Sequence, residues 1–103
     1  MTIIKKLSEM IEDEIDGAEH YAKCALKYRE EDPALAKTMY DIATDEMRHV
    51  NLLHDEVVRM IEAYKKKSGS PPAAMQAVYD YLHEKQIEEA AEVKMLLSQY
   101  REA

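Results

Sequence analysis

The chain has 103 residues and a formal charge of −7, so by size it is one domain, and it lacks the basic patches that nucleic-acid binders need. Two glycines, three prolines and no Trp or Phe point to helix throughout, an all-α fold. A single cysteine, Cys24, rules out an internal disulfide. The apolar start (Ile3, Ile4, Leu7) is broken by Lys5 and Lys6, unlike a secretory signal, and no stretch is long enough to span a membrane, so a reducing cytoplasm is expected.

In chain order, the pattern predicts a helix over residues 2–29, a turn at Arg29–Pro33, a helix over 33–67, a break at "KKKSGSPP" and a third helix over 71–101. Asp32 is a good N-cap and Pro33 a good first helical residue. At the break, lysines suit a helix C-terminus, Gly69 a C-terminal cap and Ser70 the next N-cap. The short first turn makes helices one and two an antiparallel hairpin, with a long third helix after it. A few long helices of this size bury little surface, so self-association is expected.

The apolar stripe of the first helix is Ile4, Leu7, Ile11, Ala18, Tyr21, Ala25 and Tyr28, and its missing member is Glu14. The second stripe holds Leu35, Met39, Ile42, Val50, Leu53, Val57, Met60 and Tyr64. Glu46 falls at its centre and His49 about 60° to one side. If Arg29 and Ala34 flank the turn, the regular rise of antiparallel helices sets Glu14 level with His49 and one turn from Glu46. One acid in a stripe is readily explained as a side chain turned to solvent. Three ligand-type residues converging on one spot are less so, because a buried unpaired carboxylate is costly.

Glu46 and His49, at i and i+3, can reach one ion. Carboxylates with imidazole suit Fe, Mn or Zn better than the all-oxygen shells of Ca and Mg. One hairpin supplies two carboxylates and one imidazole. Di-iron bundles use twice that: a Glu from each of two helices and a Glu-x-x-His from each of the other two. Two chains about a two-fold axis would therefore complete a ferritin-like four-helix bundle, as a homodimer with the metal site at its interface.

Over roughly residues 8 to 62 the chain resembles the ferritin-like di-iron carboxylate proteins. Glu14, Tyr21, Ala25 and then Glu46-x-x-His49 are similar to a rubrerythrin half-repeat. The nearer likeness is to encapsulated ferritin, a half-ferritin hairpin whose first helix carries acid–Glu–x–acid and then a Tyr. Here that cluster is Asp13-Glu14-Ile15-Asp16, followed by Tyr21. The resemblance implies a ferroxidase that oxidises Fe(II) to Fe(III) at a di-iron site between two subunits, for iron storage or detoxification, with Mn, Zn or Ca as substitute ions. It implies a ring of dimers, a decamer, working with an encapsulin shell and so located inside an encapsulin nanocompartment. By matching positions, Glu14, Glu46 and His49 would be the ligands and Tyr21 would lie beside the site. Asp13 and Asp16 would be outer acids receiving iron, although both are shorter than the glutamates expected there.

Two features depart from that family. The chain ends "LSQYREA", without a hydrophobic-basic docking tail, and the third helix has its own stripe: Met75, Tyr79, Leu82, Val93, Leu96 and Tyr100. Glu89 falls in that stripe near Gln86, either as an extra ligand or, the favoured reading, as a rim acid paired with a lysine. His20, His54 and His83 read as surface histidines, and Cys24 as a small core residue. Two other classes stay open: a different reaction on the same metals, peroxide-reducing or dimanganese, and a non-enzymatic helical oligomerisation module. In the second, Glu14, Glu46 and His49 would be replaceable by apolar residues.

Overall fold

The computed structural model describes residues 2–102, which form three helices: α1 (Thr2–Tyr28), α2 (Pro33–Ser68) and α3 (Ala73–Arg101). The first turn is built as its residues dictate. Asp32 Oδ1 accepts a hydrogen bond from the Leu35 amide at 3.2 Å, Pro33 opens α2, and the Asp32 amide donates to the Tyr28 carbonyl at 2.8 Å. At the second break Gly69 takes φ 79°, a left-handed conformation that favours glycine, and its amide caps Lys65. The N-cap of α3 is Pro72 rather than Ser70, and the helix starts two residues later than the sequence pattern predicts. Residue 71 precedes a proline, which disfavours helical geometry there.

The molecule is a rod, 55 × 19 × 17 Å, with a radius of gyration of 16.5 Å. A compact chain of this length would have about 13 Å. The length is that of α2 alone, 36 residues at about 1.5 Å each. α1 is the central member, packed against both neighbours, while α2 and α3 meet through a few side chains: Tyr40 stacks on Tyr100 with ring centroids 4.6 Å apart, and Arg101 donates to the Tyr40 hydroxyl at 2.9 Å. α3 runs parallel to α1: Gln86 meets Ser8 near one end, and Arg29 donates to the Gln99 carbonyl at 3.0 Å near the other.

This arrangement fixes the core. The buried positions of α1 are Ile4, Leu7, Ile11, Ile15, Ala18, Ala22 and Ala25, and those of α2 are Ala36, Ala43, Met47 and Val50. Val93 and Leu97 of α3 join the same cluster. The stripe therefore runs through Ile15, fully buried, where the periodicity places Glu14, and through Met47, where it places Glu46. The reason is α3. Covering α1 from a second side swings its buried face toward α3 and leaves Glu14 and Glu46 at the edge of the α1–α2 contact. The small residues Ala18, Ala22, Ala36 and Ala43 let the hairpin helices approach closely along this line.

Candidate metal centre

Glu14, Glu46 and His49 each offer a ligand atom, and the three atoms all lie within 4.8 Å of one another. His49 Nδ1 is 3.4 Å from Glu14 Oε2. With the proton on Nδ1 the ring donates to that carboxylate, leaving Nε2 as the lone-pair nitrogen. Glu14 and Glu46 bring their carboxyl oxygens within 4.8 Å of each other across the two helices. Hydrogen bonding to Glu14, then burial and the Glu14 charge, push the Glu46 carboxyl up to about 7, against the pull of His49. Two carboxylates this close are stabilised by a proton or a cation between them. The cluster is half-open, with the Glu14 side chain 28% and that of His49 44% exposed.

The Glu46 carboxylate has room because of Gly17. A Cβ built on Gly17 would come within 3.3 Å of Glu46 Oε2 and 3.5 Å of its carboxyl carbon. Sequence reasoning passed over this glycine. A signal existed: an isolated glycine deep in a helical pattern costs about 1 kcal/mol relative to alanine and usually has a packing reason.

The other expected site residues are placed as follows. Asp16 lies with Glu12 and Glu89 in a second group, whose ligand atoms also fall within 4.8 Å of one another. This group faces α3, and Lys85 stands in it, 3.5 Å from Glu89 and 3.9 Å from Glu12. Burial first, then the hydrogen bond and charge of Glu89, raise the Glu12 carboxyl. Asp13 is exposed and belongs to neither group. Glu89 is thus paired with a lysine, and Gln86 beside it is buried and donates to Ser8 Oγ at 2.9 Å. Tyr21 is half-buried against the core, two turns beyond Glu14 on α1, and Cys24 is half-buried. His20 is exposed, while His54 and His83 pack against each other across α2 and α3 with ring centroids 4.8 Å apart.

Two carboxylates and one imidazole are a donor set for Fe(II), Mn(II) or Zn(II). Drawn from one hairpin they are three ligands facing open solvent, which leaves coordination positions on any ion they hold. Among the described residues no helix is long and apolar enough to cross a membrane. No family model, curated protein or solved structure matches this chain.

Proposed function

We propose that this protein is a ferroxidase whose site is completed by a second copy of the chain. The observation that carries the reading is the contact of Glu14 with both Glu46 and His49, two acids and an imidazole brought together from two helices with no lysine or arginine among them. In the acidic group on the other side of α1, Lys85 supplies the positive charge. Here nothing does, and Glu46 holds its proton to about pH 7 instead.

Two further features support the pairing. One hairpin offers half of the four-carboxylate, two-imidazole set that holds two irons in helical bundles. The same edge of the molecule carries apolar residues in water: Ile3 and Met10 lie along α1 before Glu14, and Leu35 three turns before Glu46. A two-fold partner would cover them and bring a second Glu14, Glu46 and His49 against the first. The likeness of residues 8 to 62 to encapsulated ferritin agrees in residue type and order.

Iron is the substrate. Two Fe(II) ions give up one electron each. Dioxygen takes both and, with two protons, leaves as hydrogen peroxide; peroxide as acceptor takes two electrons and two protons and leaves as two waters. The carboxylates bind and orient the ions, Glu46 releases its proton as iron enters, and His49 is held in one tautomer by Glu14. The overall negative charge raises Fe(II) concentration near the surface. In air the protein should turn over Fe(II), followed by ferric absorbance. Glu46→Ala and His49→Ala should each abolish turnover while leaving the helical circular dichroism intact. Normal oxidation by those variants refutes the site.

A further inference from the structure

The geometry points to a second, separate metal site: His54 of α2 and His83 of α3 together bind a borderline divalent cation such as Zn(II), Ni(II) or Cu(II), clamping two helices whose Tyr40–Tyr100 and Arg101–Tyr40 contacts lie at the other end of the rod. The pairing follows from where the helices run. Glu14 level with His49, and Gly17 with Glu46, set the register of the hairpin. Carried along the helices, it brings α1 to its start near Ile61, so the last turns of α2 and the first turns of α3 run on past it. Together with the first turns of α1 they leave a groove of about 790 Å³, lined by Ile4 and Ile11 of α1 as well as Ile61, Met75 and Leu82, and both His54 and His83 line it. Their rings bridge it, with centroids 4.8 Å apart and planes tilted by 52°.

That spacing fits one shared ion. Zinc sits about 2.0–2.1 Å from an imidazole nitrogen, hence roughly 3.2 Å from the ring centroid, and two rings on a tetrahedral ion have centroids roughly 5 Å apart. The rings are tilted rather than stacked in parallel. The ring nitrogens are also free for the purpose: no hydrogen bond or ion pair occupies His54 or His83 among the described residues. Asp80, one turn before His83 and lining the same groove, accepts from Gln76 Nε2 at 2.9 Å. No third ligand atom lies in reach among the described residues, so the ion keeps open positions for water and exchanges readily. Imidazole without carboxylate selects the borderline ions over Mg(II) and Ca(II). The first metal centre is not involved: His54 is five residues beyond His49, about 140° further around α2.

Titration of the full-length, metal-free chain with NiCl2 tests this. Wild type should show two classes of site. His54→Ala and His83→Ala should each weaken the same class at least tenfold and abolish part of the nickel-induced rise in unfolding temperature. His49→Ala should weaken only the other class. Because His83 is exposed, its loss leaves the fold intact, and a second readout is independent of stability: substoichiometric Ni(II) should broaden the His54 and His83 ring resonances together. Nickel binding and stabilisation unchanged in His83→Ala, or broadening of only one of the two rings, overturns the proposal.

Discussion

Glu46 lies over the backbone of α1 at Gly17, with only 3.3 Å between its Oε2 and the point where a Cβ would stand. Gly17 therefore gives the Glu46 carboxylate room against α1. A glycine inside a helix costs about 0.8–1 kcal/mol relative to alanine. Gly17→Ala should raise the unfolding temperature, or leave it unchanged, while crowding Glu46 off its position and slowing Fe(II) oxidation by about tenfold. Thermal melts beside an oxidation assay measure both. A variant that is more stable and also fully active removes any role for Gly17.

Stability of the metal-free protein should depend on Glu46. Its carboxyl has an ordinary value of 4.5 and is raised to about 7 in the folded chain. The folded state thus holds the proton more tightly than the unfolded state. The contribution is fully present below pH 4.5 and is lost as pH rises toward 7 and beyond. Fully expressed, such a shift would be worth about 3 kcal/mol, and solvent access to the site reduces that to about 1–2 kcal/mol. Urea denaturation between pH 5 and 8 should show the decline, and Glu46→Gln should flatten it.

The same proton must leave when a metal enters. Below the raised value, entry of an ion at this centre should release close to one proton from Glu46; at pH 8 Glu46 should release almost none. Calorimetric titration of Zn(II) at pH 6 in two buffers of different ionisation enthalpy, run on wild type and on Glu46→Gln, separates this proton from those the histidine ligands release. Equal proton release by wild type and Glu46→Gln at pH 6 would mean that Glu46 is not displaced.

Much of this arrangement can be read in the amino-acid sequence. Asp32-Pro33 and Gly69 mark the ends of α2 because capping and φ are local properties, decided within a few residues. The level placement of Glu14 and His49 follows from one short turn and the constant rise of a helix. The phase of the buried face is different. Ile15 and Met47 occupy it, and Glu14 and Glu46 stand beside it, because α3 covers α1 from a second side, a tertiary fact no single stripe carries. For the same reason the sequence pattern does not reveal that Asp16 lies with Glu12 and Glu89, or that His54 meets His83.

Core and site should therefore separate under mutation. Ile15 is fully buried, and Ile15→Ala should cost about 2–5 kcal/mol of stability. Glu14→Gln removes one of two facing acids, and should leave stability unchanged or raise it at pH 8 while abolishing iron oxidation. Chemical denaturation of both variants measures the difference. A loss for Glu14→Gln as large as that for Ile15→Ala would make Glu14 a structural residue.

Native mass spectrometry of the chain loaded anaerobically with Fe(II) weighs the assembly and its metal together. A half-site completed by pairing should give dimers, or even-numbered assemblies of them, carrying two irons per pair of chains, with Glu46→Ala stripping the iron. Monomers free of iron, or iron retained unchanged in Glu46→Ala, would contradict it.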